Sequence, residues 1–238
     1  MYLCEFDGID IQDIARVFHI NTNRGSVATS IDSIQLGNIG EYPTGKKLGR
    51  RTVPFRFAFV DNDYDIRSAA IQKLNNWLAG TEERKLRTAS EREGYLMAVC
   101  GTILDPAYHN RVETLEIEFI ASDPRFYGNA RSVMRCDLPV KVKSAYAPYI
   151  EIHQVVTNTI ENPRWMVNGV KIEISGTIAP GKLFLAPEKG IVTRNGFSMM
   201  DRVTLDSRLD LFALEQGVNR VDCSNGAGGN LHKQERFM

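Results

Sequence analysis

The sequence predicts a mainly β protein with one helix, divided into two domains. Alternating apolar and polar runs, which are typical of half-buried strands, lie on both sides of one helical pattern near residues 61–80. From about residue 131 onward no helical period exceeds two turns, and short alternating runs recur roughly every ten residues. The 238 residues are enough for two domains of ordinary size. We therefore predict a first β domain with the helix over residues 1–130, and a second, all-β domain over residues 131–238.

The clearest strand of the first domain is "RTVPFRFAFV" at residues 51–60. Every second residue from Val53 to Phe59 is a large apolar one, so one face of this strand is predicted to be buried. Proline cannot donate a ladder hydrogen bond, so Pro54 favours a strand start or a sheet edge. Just before it, "GNIGEYPTGKKLG" at residues 37–49 holds four glycines and a proline, which predicts a long mobile loop.

The helix is predicted over about residues 65–79, because apolar residues from Ile66 to Leu78 repeat at helical spacing. Asp63 or Asp65 can cap its first turn, and Gly80 can end it. The alternation of aspartates at 61–65 also resembles the start of a calcium loop. Such a loop needs glycine at its sixth position and glutamate at its twelfth, where this chain has isoleucine and glutamine. The helix cap is therefore the preferred interpretation.

The first domain is predicted to end with the strand and turn in "TLEIEFIASDPRFYG", residues 114–128. Apolar residues occupy one face of the strand, whereas Glu116 and Glu118 occupy the other. Aspartate-proline pairs at Asp105-Pro106 and Asp123-Pro124 predict a turn at each end, because proline presets the turn and aspartate bonds back to the local backbone.

Seven short strands are predicted in the second domain, separated by turns at Asn168-Gly169, Pro180-Gly181 and Asn195-Gly196. Regular short strands of this kind are typical of an antiparallel β-sandwich. The predicted strands are "LPVKVK", "YIEIHQV", "GVKIEISG", "LFLA", "GIVT", "DRVTLDS" and "NRVDCS".

Composition excludes several classes of protein. Basic and acidic residues balance at 29 each, so no net field attracts nucleic acid or an anionic membrane. No apolar run approaches the roughly 18 residues that a membrane helix needs, and the acidic N-terminus does not have the form of a signal peptide. The chain is therefore expected to be made in the reducing cytosol, with its four widely spaced cysteines as free, mostly buried thiols rather than disulfides.

Residues with catalytic or ligand chemistry form no recognisable site in the sequence. The four histidines lack metal-ligand spacing, and the glycine-rich "NGAGGN" at 225–230 precedes no helix that could present amides to a phosphate. Glu116 and Glu118 are a carboxylate pair of the kind that hydrolases use, but glutamates on the wet face of a strand are ordinary. We predict no enzyme activity, no cofactor and no metal site.

Three features of the first domain occur in a characteristic order. Phe6-Asp7-Gly8 follows an N-terminal aromatic residue, the strand "RTVPFRFAFV" leads into a helix that ends "KLNNWLAG", and "LEIEFIASDPRFYG" closes the domain. In this order they resemble the distal tail proteins of long, non-contractile-tailed bacteriophages and prophages of Gram-positive hosts. Many relatives have a glycine-aspartate-glycine turn where this chain has "GNIGEYPTGKK".

The second domain is similar to the galectin-like module of the same family. The resemblance is carried by "VNGVKIEISG" at 167–176, "RVTLDS" at 202–207 and "LEQGVNRVDCSNG" at 214–226. It implies a β-sandwich or split-barrel-like first domain and a galectin-like antiparallel β-sandwich as the second.

The resemblance further implies a structural protein at the tip of the virion tail. Six copies would join through their first domains into a ring around a central channel, and the second domains would project outward. The implied partners are the tail tube protein, a tail-tip protein and a receptor-binding protein. Nucleic acid would only pass through the channel, and no membrane would be entered.

Two sets of candidate contact residues follow. Subunit contacts are expected in the loop from Gly37 to Gly49 and its basic neighbours, which are Lys46, Lys47, Arg50, Arg51 and Arg56. The alternative function is a carbohydrate-binding module that recognises wall polysaccharide through exposed aromatic residues. Its candidates are Tyr146, Tyr149, Trp165 and Phe197, although packing at a strand start is the favoured role of Trp165.

Overall fold

A computed structural model describes residues 4–22, 25–35, 41–61, 63–109 and 112–238. The chain forms two compact units, Met1–Phe126 with Met238, and Tyr127–Phe237. The sequence places the division after residue 130. All strand pairings among the described residues are antiparallel.

The described residues of the first unit form eight strands, one main helix and one single-turn helix. The strands follow the order β2–β1–β6–β7–β8–β5, and β4 and β3 lie end to end along the other side of β5. The elements are β1 Cys4–Phe6, β2 Ile9–Asp10, α1 Ile11–Ile14, β3 Val17–Thr22, β4 Ser26–Gln35, β5 Glu41–Phe59, α2 Tyr64–Leu78, β6 Arg84–Thr88, β7 Glu91–His109 and β8 Val112–Ala121. Because α1 connects β2 directly to β3, the two ends of this strand order are brought together, as in a split barrel.

The apolar face of β5 forms the centre of this unit. Val53, Phe55, Phe57 and Phe59 are all buried, which confirms the predicted alternation. Helix α2 covers this core with Leu74 and Trp77. The Trp77 indole donates a hydrogen bond to the carbonyl of Phe6 at 3.1 Å, so the helix is attached to β1 by a polar bond as well as by apolar contact.

The start of α2 confirms the predicted cap. The Asp63 carboxylate accepts hydrogen bonds from the amides of Asp65 at 2.8 Å and Ile66 at 3.2 Å. These amides have no partner within the helix, so the aspartate satisfies donors that would otherwise need water.

Three predictions about loops, turns and strand ends in the first unit are wrong. Residues 41–49 of the predicted mobile loop are part of strand β5, and residues 36–40 lie outside the described part. Asp105-Pro106 is not a turn, because β7 continues through it with a register shift between Leu104 and Ala107. A bulge tolerates proline because the extra residues are left out of the ladder.

Pro54 is neither at a strand start nor at a sheet edge. It lies inside β5 opposite Glu118 of β8. On the other side of β5, pairing with β4 ends at Thr52 and pairing with β3 begins at Phe55. Proline is tolerated here because, on that side of β5, its position falls in the gap between the end of the β4 pairing and the start of the β3 pairing.

The second unit is an antiparallel β-sandwich. One sheet has the order β18–β17–β16–β11–β21–β9 and another has β14–β13–β20, and the remaining pairs are β10–β19 and β12–β15. The strands are β9 Phe126–Arg135, β10 Val140–Val142, β11 Tyr149–Val156, β12 Ile160–Glu161, β13 Arg164–Val167, β14 Val170–Glu173, β15 Thr177–Ile178, β16 Gly181–Ala186, β17 Ile191–Arg194, β18 Phe197–Ser198, β19 Gly217–Asn219, β20 Asp222–Ser224 and β21 Asn230–Phe237. Three short 3-10 helices, Pro187–Lys189, Met200–Arg202 and Leu209–Leu211, connect them.

One apolar core joins the sheets of this unit. Ile152 and Leu185 from the larger sheet and Trp165 and Ile172 from the smaller one are completely buried in it. The Trp165 indole donates to the carbonyl of Gly228 at 2.9 Å. The "NGAGGN" segment therefore packs the core, and Gly229 is required because a Cβ there would lie 2.5 Å from the carbonyl oxygen of His153.

The predicted strand "DRVTLDS" is wrong. It begins as a 3-10 helix, forms one bridge between Val203 and Ile174, and then turns, with the Ser207 amide bonded to the Thr204 carbonyl. Leu205 is fully exposed, so the alternation in this segment does not reflect a buried face. The predicted strand "NRVDCS" is divided between β19 and β20, which pair with different partners.

Candidate assembly surface

A two-stranded ribbon extends from the first unit, and we call it the β-arm. It consists of β4 and residues 41–50 of β5, which pair with each other from Gln35 opposite Glu41 to Thr29 opposite Leu48. Pairing between β5 and β8 begins only at Arg51. Among the described residues, this part of β5 therefore has β4 as its single neighbour, and the outer edge of β4 has no strand beside it.

The described side chains of the β-arm form no core. None of its described side chains is buried, and Ile31 is 66% exposed and Leu48 39% exposed. Two of its polar contacts are local, an ion pair between Lys47 and Asp32 at 2.8 Å and a hydrogen bond from the Thr44 hydroxyl to the Asp32 carbonyl. An isolated two-stranded ribbon is only marginally stable in water, so the arm has the properties of a segment that needs a partner.

Arg50 and Arg51 lie at the base of the arm with opposite surroundings. Arg50 is exposed, whereas Arg51 is buried and donates from Nε to the carbonyl of Pro124 at 2.6 Å. The Arg51 guanidinium also lies over the Phe126 ring, 4.7 Å from its centre. Arg51 therefore fixes the bend after β8, and it offers no free guanidinium to a neighbouring subunit.

That bend is the predicted Asp123-Pro124 turn. The Asp123 carboxylate accepts a hydrogen bond from the backbone amide of Arg125 at 3.2 Å. It also forms an ion pair with the Arg125 guanidinium at 2.7 Å. The prediction that aspartate bonds back to the local backbone is confirmed.

The other basic candidates lie along β5. Lys47 and Arg56 are exposed, and Arg56 lies opposite Glu116 of β8. Lys46 is opposite Ile31 in the arm, and its side chain is outside the described part. Glu116 and Glu118 are partly buried on one strand face.

The four aromatic carbohydrate candidates do not form one surface. Trp165 and Tyr149 are buried in the second unit, and Tyr149 donates its hydroxyl to Glu151 at 2.8 Å. Burial and this hydrogen bond raise the pKa of Tyr149. Phe197 is 79% exposed and Tyr146 is partly exposed, so only these two present a ring to solvent.

Sequence reasoning missed a groove of about 420 Å³ on the larger sheet of the second unit. Its walls include Val155 and Phe184, and Lys182 and Asn230 are exposed at its rim. Beside it the rings of His153 and His232 lie 4.1 Å apart, because β11 and β21 are neighbours. No sequence spacing reveals this, since the two histidines are far apart along the chain.

The described residues hold no group of three or more metal-ligating side chains that could bind an ion. In the same part of the chain, no helix has the length and apolar character needed to cross a membrane. All four cysteines are free thiols, with Cys4 and Cys136 buried and the other two partly buried, as predicted.

Comparison with known proteins agrees with this architecture. Residues 9–121 match the family model of the phage tail protein RIFT-related domain. Over 100% of both chains, the fold matches the crystal structure of the SPP1 Dit protein (gp 19.1), with a TM-score of 0.80 and 15% sequence identity. Residues 9–121 therefore form a phage tail protein domain, and the chain as a whole has the distal tail protein fold. As such it is a component of the virion tail.

Other phage structures share the fold of this tail protein more distantly. The phage P2 baseplate in its activated conformation, solved with Ca and with Sr, matches with a TM-score of 0.55 and 8% identity over 96% of this chain and 93% of that chain. The SPP1 protein is described as a paradigm of the hub adsorption apparatus in phages that infect Gram-positive bacteria. No curated protein sequence matches the chain.

Proposed function

We propose that this tail protein is a non-catalytic hub at the tail tip, in which copies join through the β-arm into a ring around a channel. The β-arm is the observation that carries the proposal. A ring of six copies, with the tail tube protein on one side and a tail-tip protein on the other, is the arrangement that the distal tail fold favours. The second unit then serves as the mount for a receptor-binding protein.

The arm is suited to such a contact for two physical reasons. Its outer strand, β4, has a row of backbone groups with no strand beside it, and a neighbouring copy can fill this row by strand addition. Its exposed apolar side chains, Ile31 and Leu48, gain stability only when another surface covers them. A ring uses two different patches of each copy, so the arm of one copy contacts a different surface of the next.

Light scattering behind size exclusion, with negative-stain images of the peak, tests the proposal. The expected particle is a ring whose mass is a multiple of the 26.8 kDa chain. Ile31→Asp adds a charge to the exposed face of the arm and is expected to shift the protein to the monomer. Because Ile31 has no core contacts, the melting temperature of the monomer should stay unchanged.

Leu205→Asp is the matched control, since Leu205 is also an exposed aliphatic residue but belongs to the second unit. It should leave the ring intact. A wild-type protein that stays monomeric at all accessible concentrations and also on addition of tail tube protein would refute the ring, and a ring that survives Ile31→Asp would refute the role of the arm.

Saccharide binding is a second candidate function, and the groove beside Phe184 favours it. Its walls are mostly apolar, and its rim carries the exposed side chains of Lys182 and Asn230, which is the usual composition of a small-ligand site. Calorimetric titration with host wall polysaccharide tests it. Phe184→Ala should abolish the binding heat, whereas Phe197→Ala, which removes an exposed ring that does not line the groove, should not. Absence of heat with the wild-type protein removes this candidate.

A further inference from the structure

The groove beside Phe184 lies on the face of the larger sheet that points away from the core of the second unit. There His153 of β11 is opposite Phe184 of β16 and Asn230 of β21. Residues that are opposite each other in an antiparallel pair share a face, so these three side chains form one row across the sheet. Glu151 and His232 are also opposite each other and form the next row. The register of three strands therefore brings an aromatic ring, two imidazoles, an amide and a carboxylate together.

The carboxylate on this face is already engaged by the protein. Glu151 accepts hydrogen bonds from the Tyr149 hydroxyl at 2.8 Å and from Nε2 of His153 at 3.0 Å, and it forms an ion pair with Arg131. Burial alone would raise the pKa of Glu151, but these three contacts lower it, so the carboxylate is ionised. An ionised carboxylate only accepts hydrogen bonds, and Nε2 of His153 is therefore the donor.

Two polar side chains at the rim of the groove remain available to a ligand. Lys182 and Asn230 are both exposed. Within the described part of the chain, the Lys182 ammonium makes no ion pair or hydrogen bond and the Asn230 side-chain amide makes no hydrogen bond. An ammonium group only donates, and an amide nitrogen also donates. The rim therefore carries a positive charge and free donors, which is the complement of a negatively charged ligand.

The spacing of the rim and the walls fits one small ligand. Lys182 is opposite Val155, which is two residues along β11 from His153. Lys182 and His153 are thus diagonal neighbours, which lie roughly 7–8 Å apart in such a pair. The groove of about 420 Å³ has Val155 and Phe184 in its walls, and this volume is in the range of small-ligand sites. An apolar wall suits the C–H face of a sugar ring, and the donors beside it suit an acidic group on that ring.

His153 supplies a further donor that depends on pH. Because its Nε2 is bonded to Glu151, Nδ1 is the nitrogen left for a ligand, and Nδ1 donates only when the ring is protonated. Imidazoles take up a proton between about pH 5 and 8. The titratable groups that face this ring are Glu151 of β11, Lys182 of β16 and His232 of β21, whose ring is 4.1 Å away, with Arg131 of β9 beyond it. A bound anion favours the protonated ring through its opposite charge, so anion binding and protonation strengthen each other.

We propose that this face binds an anionic saccharide, whose sugar ring packs against Phe184 and whose acidic group is held by Lys182, Asn230 and protonated His153. The inference rests on the saccharide-binding candidate function and adds the charge of the ligand to it. A neutral sugar leaves the Lys182 ammonium without a partner, whereas an anionic one pairs with it. The affinity for an anionic sugar should therefore increase as the pH falls.

Calorimetric titration of the full-length protein with D-glucose 6-sulfate tests the inference, with D-glucose and inorganic sulfate as references. A sulfate ester keeps its charge at each pH used, so any pH dependence belongs to the protein. At pH 6, glucose 6-sulfate should bind at least about tenfold more tightly than either reference, which is the effect of one hydrogen bond to a charged group. Its affinity should fall about fivefold to tenfold when the pH is raised to 8, as expected for a shift of about one pKa unit in one imidazole.

Substitutions with matched controls assign the effect to these residues. Lys182→Met should weaken the binding of glucose 6-sulfate about tenfold. Lys141→Met removes the same charge from an exposed position of β10, opposite Val218, and should leave the affinity unchanged. His153→Gln should remove most of the pH dependence, whereas His19→Gln in the first unit should keep it.

Three results would overturn the inference. Equal affinity for glucose and glucose 6-sulfate would do so while leaving the saccharide-binding candidate in place. Binding of inorganic sulfate as tightly as glucose 6-sulfate would show that the sugar ring contributes nothing. Absence of binding for both sugars would also reject the anionic-saccharide site, and the candidate function would then be decided separately by the titration with wall polysaccharide. The wild-type comparison of the two sugars decides the matter even where a variant does not fold.

Discussion

Strand β4 of the arm and strand β11 of the second unit both alternate along their length, but among the described side chains only those of β11 bury a face. Ile150 and Ile152 of β11 are in the sandwich core, whereas Ile31 of β4 is 66% exposed. Both strands satisfy backbone groups through antiparallel pairing, yet within the described ranges β11 has a strand on each side and β4 has one. Strand pairing is therefore enough to specify an extended conformation, but a strand is stable without a partner molecule only where one of its faces is buried in the core.

The largest expected effect lies in the core of the second unit. Trp165→Ala removes a completely buried ring and its bond to the Gly228 carbonyl, and it should cost about 3–5 kcal/mol in unfolding free energy. Calorimetry of the full chain should show the transition of the second unit moving to lower temperature while that of the first unit stays in place. A change of similar size on Ile31→Ala would contradict the contrast, because the arm would then contain a core.

An intermediate effect is expected at the base of the arm, where neighbouring arginines allow a matched test. Arg51→Ala removes a buried charged donor from the Pro124 carbonyl and should cost about 1.5–3 kcal/mol. Arg50→Ala should change stability by less than about 0.5 kcal/mol, since Arg50 is exposed. Equal losses for the two variants in urea denaturation would show that Arg51 does not hold the bend after β8.

The smallest effect is expected from His232 of the second unit. Burial, and then the neighbouring His153 and Arg131, lower the pKa of His232 below its usual value of 6.5. The unfolded chain therefore binds this proton more readily than the folded one, so stability should fall as the pH drops from 6.5 toward the folded pKa. His232→Gln should reduce this slope in melting curves between pH 7.5 and 5.5, and the His19→Gln variant of the first unit should keep it.

The sequence predicted the elements that bury one face or are capped by one side chain. The four apolar residues of β5, the Asp63 cap and the Asp123 turn needed only local patterns. The arm was missed because glycines at 45 and 49 and Pro43 are typical of a loop, and nothing local indicates that β4 pairs with them. The bulge at Asp105-Pro106 was missed for the same reason, since the partner strand β8 decides whether a proline ends a strand or is skipped by the ladder.

Contacts between distant segments were beyond sequence reasoning. Arg50 and Arg51 are chemically identical neighbours in β5, and they point to opposite faces of the strand. That the buried one finds its partner in the Pro124 carbonyl could not be predicted, because Pro124 lies 73 positions further along the chain. The burial of Tyr149 and Trp165 and the meeting of His153 with His232 likewise depend on strand order. Residue type suggested candidates, but the register of the sheets determined which of them face solvent.

Strand β5 runs without a break from the arm into the first unit, and this has a mechanical consequence. A pull along the arm is directed along β5, whose residues 51–58 form eight consecutive pairs with β8. Ladder hydrogen bonds are perpendicular to the strands, so such a pull shears all eight pairs at once and does not unzip them one by one. Tension applied at the arm is therefore shared across the sheet, and the junction resists extension better than a flexible tether of the same length.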